Sequence, residues 1–155
     1  MKKTIITVFT IICVLVADLT TKHFLFKVEY FNLIPNVISV ASNGGNTGAA
    51  FGAFSGKTAA LVIVSVLMVV ALLIFNYFIK NKNNFYCVAF GLILGGALGN
   101  MYDRIFLHYV RDFIYLDFLP NFPNFNLADS CLCVGVVMFA VFLLFMWERK
   151  DDKKV

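Results

Sequence analysis

The chain has 155 residues, of which 61% are hydrophobic and 14% are charged, and its mean hydropathy is +0.84. This apolar excess is too large for a soluble core and its polar surface, so it predicts a single membrane domain over residues 1–155. The net charge of +4 is small and no long basic run is present, which argues against a nucleic-acid partner.

The first apolar stretch follows Met1-Lys2-Lys3, as in a secretory signal peptide. A cleavable signal needs small residues before the cut, and Leu15-Val16-Ala17 offers only one. Residues 4–17 reach only about 21 Å as a helix, which is short of a hydrocarbon core of about 30 Å. We therefore predict an uncleaved transmembrane helix over residues 4–22.

The next segment, residues 23–57, is expected outside the membrane. Val37–Val40 is typical of a short strand, and residues 43–46 (Asn-Gly-Gly-Asn) are typical of a turn. These features predict a small extracellular β-sheet, or cradle, between helices 1 and 2 of an all-α integral membrane protein.

Two more spans follow, over residues 58–79 and 85–102. The first has no charge, and its roughly 22 residues would reach about 33 Å as a helix. In the second, Gly91, Gly95 and Gly99 recur every four residues and so share one helix face. Small residues at this spacing allow a close approach of two helices.

A fourth span is predicted over residues 127–147, after an outer segment at residues 103–126. Basic residues flanking helix ends favour the cytoplasmic side of a membrane. Eight of the 13 basic residues cluster on one predicted side, which places both termini in the cytoplasm: Lys2, Lys3, Lys80, Lys82, Arg149, Lys150, Lys153 and Lys154.

Helix rise places several polar residues in one layer just below the outer surface. Asp18 would lie about 9 Å below that boundary, and Lys22, four residues later, shares its face. Asn100 and Arg104 lie near the outer end of helix 3, Asp129 lies in the first turn of helix 4, and Asp112 lies in the connecting loop. Ionisable groups in a membrane usually mark a functional site.

Each group also has a simpler interpretation. Asp18 and Lys22 would make an interfacial ion pair, and Asn126 with Asp129 would form a helix cap. We expect Asp103 to be a loop charge that ends helix 3, and Arg111 to favour ionised Asp112. The three tyrosines of this region would belong to the interfacial aromatic belt: Tyr102, Tyr109 and Tyr115.

The four cysteines fall in apolar stretches, and we expect them to be small buried hydrophobes. Cys131 and Cys133 on one helix would point about 200° apart, which is poor for chelation. No metal-binding or phosphate-binding motif is present, so neither a metal nor a cofactor is predicted.

Six stretches, in order over nearly the whole chain, resemble the motifs of the lipoprotein signal peptidases, or signal peptidase II. They are Asp18-Leu19-Thr20-Thr21-Lys22, Asn46-Thr47-Gly48-Ala49-Ala50-Phe51-Gly52, Gly95-Gly96-Ala97-Leu98-Gly99-Asn100, Asp103-Arg104, Val110-Arg111-Asp112-Phe113 and Phe125-Asn126-Leu127-Ala128-Asp129-Ser130. Four positions depart from the family pattern. Leu19 stands where glutamine is usual, His108 where glycine is common, Arg111 where an aliphatic residue is common and Tyr115 where an acidic one is.

The resemblance implies an aspartyl endopeptidase in the bacterial cell membrane. It would remove signal peptides from prolipoproteins by cutting before a diacylglyceryl-modified cysteine, and globomycin would inhibit it. Asp112 and Asp129 correspond to the catalytic pair. The supporting residues are Asp18, Lys22, Asn46, Gly48, Asn100, Arg104 and Asn126. Substrate and membrane lipid are the expected partners, and a monomer is expected.

Two adjacent carboxylates cannot easily both ionise, so such a pair would share a proton and activate water. Two other functions fit parts of the sequence. A proton-coupled transporter would use the aspartates as a relay, but a relay should cross the membrane and helix 2 has no charge. A non-catalytic assembly factor held by the glycine face would tolerate loss of both aspartates.

Overall fold

A computed structural model describes residues 2–42, 44–48, 56–119 and 121–146. This part of the chain has four helices that are long and apolar enough to cross a membrane. They are α1 (Lys2–Leu25), α2 (Thr58–Phe78), α3 (Asn84–Phe106) and α4 (Leu127–Val141), the last continued by a π-helical segment at Phe142–Met146. The predicted class of a four-helix membrane protein is therefore confirmed. Trp147, the last residue of the fourth predicted span, and the basic residues beyond it lie outside the described residues.

The predicted glycine face is where α3 packs against α1. A methyl group added at Gly91 would lie 2.6 Å from Thr10 Cβ, and one at Gly95 would lie 2.7 Å from Val14 Cβ. A step of four residues along α3, from Gly91 to Gly95, matches a step of four along α1, from Thr10 to Val14, so the two helices run parallel. Side chains larger than hydrogen at these glycines would push the two helices apart.

The fourth helix packs against α3 in the opposite direction. A methyl group at Gly96 would lie 2.5 Å from the Ala128 carbonyl oxygen, and one at Gly135 would lie 2.8 Å from Ile93 Cγ1. The two helices are therefore antiparallel, and α3 is the central helix because it packs against the other three. In contrast, no residue in the apolar window of α2 is fully buried, although Val69 and Leu72 pack against the buried cluster around Phe90.

Aromatic packing holds the α3 N-terminal end of the bundle. Tyr86 stacks on Phe90 and contacts Phe142, and its hydroxyl donates to Asn76 Oδ1 at 2.9 Å. All four cysteines are free thiols. The expectation that they are buried is right for Cys87, whereas Cys131 is half-buried. It is wrong for two outward-facing cysteines, Cys13 and Cys133, which lie on apolar helix surfaces that lipid can cover.

A three-stranded antiparallel sheet lies at the opposite end of the bundle, which we call the sheet end. Its order is β1 (Phe31–Ile34), β2 (Ile38–Val40) and β3 (Ile114–Leu116). The first two strands come from the α1–α2 connection, as expected, and β2 falls in the predicted strand at Val37–Val40. The third strand comes from the α3–α4 connection, so the sheet ties the two loops together. Of the predicted turn at residues 43–46, Gly44 and Gly45 have φ of 79° and 92°, and Asn43 lies outside the described residues.

Candidate active site

Asp112 is held between two loops at the sheet end. Asn46 and Val110 exchange main-chain hydrogen bonds, both at 2.8 Å, which brings the 44–48 loop against the loop that carries Asp112. Asn46 Nδ2 then donates to Asp112 Oδ2 at 2.9 Å, and Gly48 N donates to Asn46 Oδ1 at 2.9 Å. The Asn46 amide is thereby fixed with its donor toward the carboxylate. The rest of that motif, residues 49–52, lies outside the described residues.

Asp129 is held by the start of α4, where the predicted helix cap is confirmed. Asn126 N donates to Asp129 Oδ2 at 3.1 Å, and Asp129 N donates to Asn126 Oδ1 at 3.0 Å. This is a capping box, in which each side chain satisfies a main-chain N–H of the other residue. A carboxylate in the first turn is also favoured by the helix dipole.

Two asparagine amides connect the two carboxylates. Asn126 Nδ2 donates to Asp112 Oδ1 at 2.7 Å and to Asn100 Oδ1 at 3.0 Å. Asn100 Nδ2 donates to Asp129 Oδ1 at 2.7 Å. Asn126 therefore bonds directly to both aspartates, to Asp112 by its side chain and to Asp129 by its main chain.

Beneath this pair lies a fully buried ion cluster between α1 and α3. Lys22 Nζ lies 2.8 Å from Asp18 Oδ2, as the predicted ion pair requires, and donates to Asn100 Oδ1 at 2.9 Å. Asp18 Oδ1 accepts from the Ala128 main-chain N–H at 3.0 Å. Because Lys22 and Asn126 both donate to its oxygen, Asn100 must direct its NH₂ group toward Asp129.

The expectation for Asp103 is wrong. It does not end α3, which continues to Phe106, and its side chain is fully buried, 3.4 Å from Lys22 Nζ. Nor does Arg111 pair with Asp112, since its guanidinium binds Asp103 with Nη2 2.7 Å from Oδ1. The Asp103 carboxylate can be buried in the last turns of α3 because Lys22 and Arg111 pair with it there. Asp103 lies three residues after Asn100, so the helix period would have placed it on the polar face.

Burial alters the acidity of Asp112. The residue is 3% exposed, and loss of solvation, reinforced by the negative charge of Asp129, raises the pKa of its carboxyl to about 6. Hydrogen bonds from Asn46 and Asn126 to the ionised form oppose this shift. Asp112 thus holds a proton to higher pH than an ordinary aspartate.

Both aspartates line a cavity of about 530 Å³. Arg104 also lines it, and its Nη2 donates to the Gly48 carbonyl oxygen at 3.2 Å. All nine predicted site residues therefore belong to one continuous network of hydrogen bonds and ion pairs. Within the part of the chain that the structure describes, no group of three or more His, Cys, Asp or Glu side chains is placed to hold a metal ion.

The other departures from the family pattern surround this network. His108 adopts a left-handed conformation with φ of 66°, a region that glycine enters without strain. Leu19 lines one surface pocket with Arg111 at the sheet end of α1, and Tyr115 lies in β3. Neither touches Asp112 or Asp129 through a hydrogen bond among those described.

A bundle of four apolar helices with a buried carboxylate network at one end defines a multi-pass membrane protein with a polar site. The family model described as "Signal peptidase (SPase) II" matches residues 10–145. A lipoprotein signal peptidase of Staphylococcus aureus is 39% identical over 149 residues, covering 92% of this chain and 90% of the relative. One of Clostridium novyi (strain NT) is 46% identical over 103 residues, covering 64% and 68%.

A solved structure described as a bacterial membrane enzyme, obtained by the in meso method at 2.3 Å resolution, superposes with a TM-score of 0.81. It is 35% identical, and the match covers 96% of this chain and 93% of the other. The chain belongs to the signal peptidase II family, whose members are membrane proteases.

Proposed function

We propose that this chain is an aspartic endopeptidase that removes the signal peptide from diacylglyceryl-modified prolipoproteins by cutting before the lipidated cysteine. The observation that carries the proposal is the junction of Asp112 and Asp129 through Asn126, on the wall of one cavity. The substrate class comes from the relatives, which are lipoprotein signal peptidases.

The environments of the two carboxyls suit them to different roles. Burial raises the pKa of Asp112 to about 6, so it holds a proton to higher pH than an ordinary aspartate, whereas Asp129 accepts hydrogen bonds from the Asn126 main chain and the Asn100 amide. Ionised Asp129 would take a proton from water as it attacks the scissile carbonyl, and neutral Asp112 would donate a hydrogen bond to the carbonyl oxygen. The tetrahedral intermediate then collapses, the C–N bond breaks and the proton passes from Asp129 to the leaving amine.

The cavity has a composition suited to a lipidated peptide. Asn46 and Arg104 line it together with the aspartates and can orient the substrate backbone, while Cys133 and Val134 of α4 contribute apolar lining. Val134 lines the cavity and is also 53% exposed on the apolar surface of α4, so acyl chains can remain in the bilayer while the peptide bond reaches the aspartates. This geometry fits a scissile bond near the membrane surface.

The membrane orientation follows from charge. Lys2, Lys3, Lys80 and Lys82 flank helix ends opposite the sheet end, which favours that side as cytoplasmic. We propose that both termini are cytoplasmic and that the site faces outward. We also propose that a monomer is active, because both aspartates and their partners come from one chain.

The test is cleavage of a diacylglyceryl-modified precursor by purified protein in detergent. We expect Asp112→Asn and Asp129→Asn each to abolish cleavage while the protein still inserts, because each removes one role in proton transfer. Asp117→Asn is the matched control, since Asp117 instead accepts from Ser39 at 2.6 Å. Globomycin should inhibit the wild type, and a chelator should not. Normal processing by either site variant would remove that aspartate from the mechanism.

A further inference from the structure

Asp103 receives three hydrogen bonds from the residue that precedes Asp112. The main-chain N–H of Arg111 donates to Oδ2 at 3.0 Å, Nε donates to Oδ2 at 3.2 Å, and Nη2 donates to Oδ1 at 2.7 Å. The Asp103 side chain is fully buried and that of Arg111 is 14% exposed. A two-point guanidinium–carboxylate contact of this kind is geometrically specific.

This contact fixes the Asp112 loop to a rigid helix. On either side the loop is held by main-chain bonds, from Asn46 to Val110 at 2.8 Å and from Phe113 N to the Phe125 carbonyl oxygen at 3.2 Å. Such main-chain bonds are open to almost any side chain at position 111. Of the contacts that hold the loop, only those of the guanidinium require arginine at position 111. Arginine at this position is a departure from the family pattern.

Charge balance gives the same arginine a second effect. Lys22 faces two fully buried carboxylates, Asp18 at 2.8 Å and Asp103 at 3.4 Å. One ammonium between two carboxylates leaves a net negative charge, and an uncompensated buried charge is strongly unfavourable. Arg111 supplies the second positive charge. Lys22 can then stay close to Asp18, where its ammonium group also orients Asn100.

We infer that Arg111 is a positioning residue for the reaction, which holds Asp112 in place by clamping Asp103. The inference rests on the proposed role of Asp112 as a member of the catalytic pair. Arg111 is not among the residues lining the cavity, so it acts without touching substrate. It should therefore affect the rate of the chemical step more than substrate binding.

The first test separates kcat from KM in purified variants. Misplacing a reacting group by about 1 Å can lower a rate about a hundredfold. We expect Arg111→Met to lower kcat between about tenfold and a hundredfold, with KM changed less than twofold. Arg111→Lys should be intermediate, because lysine keeps the charge but cannot form the two-point contact. That variant also keeps the test valid if Arg111→Met fails to insert.

The second test is a double-mutant cycle with Asp103→Asn. If Arg111 acts through Asp103, Arg111→Met should change kcat less than twofold in the Asp103→Asn background. A general packing role would instead give the same loss in both backgrounds. Lys27→Met is the matched control. It removes an exposed positive charge just after the C-terminal end of α1, and it should leave kcat unchanged.

Wild-type kcat in Arg111→Met, or an equal loss of kcat in both backgrounds, would overturn the inference. Its failure is distinct from failure of the proposed function, which is read from Asp112→Asn in the same assay. An inactive Asp112→Asn with a fully active Arg111→Met would reject only the positioning role. Cleavage by Asp112→Asn would reject the catalytic assignment itself.

Discussion

Gly99 is where helix packing and the candidate site meet. A methyl group at this position would lie 2.5 Å from Asp18 Oδ2 and 3.2 Å from Asp18 Cγ. Moving α1 away from α3 would open the close contacts that Gly91 and Gly95 make with the same helix. We therefore predict that Gly99→Ala displaces the Asp18 carboxylate and breaks its 2.8 Å ion pair with Lys22.

The magnitude has two parts. Overpacking at a tight interface costs about 1–3 kcal/mol of stability. Breaking a buried ion pair costs a further 3–5 kcal/mol or so, because Lys22 retains an incompletely paired charge. Lys22 also orients Asn100, which donates to Asp129, so kcat per folded molecule should fall about a hundredfold.

Gly91→Ala is the matched control for this prediction. Its methyl group would lie 2.6 Å from Thr10 Cβ, on the same helix interface but away from the carboxylates. Gly91→Ala should lose only the stability that overpacking costs, about 1–3 kcal/mol, and its folded molecules should keep normal kcat. Thermal unfolding in detergent and cleavage of a lipidated precursor measure the two quantities. Equal kcat in the two variants would refute the link from Gly99 through Asp18 to the site.

Three further predictions concern other features. Folding raises the pKa of Asp112 from 3.8 to about 6, so its contribution to stability is fully present below about pH 4 and is lost as the pH rises through 6. Relative to the non-titrating Asp112→Asn, the wild type should lose about 3 kcal/mol in total between about pH 3 and about pH 8, and a constant difference in unfolding midpoint would contradict this. His108→Val should be less stable than wild type and His108→Gly at least as stable, since φ is 66° there; the reverse order would contradict the strain. Cys133→Trp should raise KM by narrowing the cavity, with Cys133→Ala as the near-normal control, and an unchanged KM would place the substrate elsewhere.

Apolar length and glycine spacing were sufficient to predict the bundle. Each span had enough apolar residues to cross a bilayer, and a helix is the simplest way to satisfy main-chain groups there. The four-residue period of Gly91 and Gly95 predicts a close contact with another helix on this face, and the structure shows that the partner is α1. The partner helix could not be predicted, because a small-residue face shows where a close approach is possible but not which helix makes it.

The charge pairing could be predicted only within one helix. Asp18 and Lys22 are one turn apart, so local geometry predicts their ion pair. Asp103 pairs with Lys22 on α1 and with Arg111 in the α3–α4 connection, and the geometry of a single helix predicts neither contact. Without those partners in view, an aspartate after an apolar span indicates that the helix has ended.

The sequence by itself determined the four apolar helices, the helix cap at Asn126 and the end of the bundle at which the polar residues gather. These follow from distances measured along one chain segment, which helix geometry fixes. Only the tertiary structure decided that β3 joins the sheet from the second loop, that Arg111 binds Asp103 rather than Asp112, and that Asn126 contacts both aspartates. Those contacts depend on lateral packing between segments far apart in sequence, and depth along a helix axis carries no information about neighbours beside it.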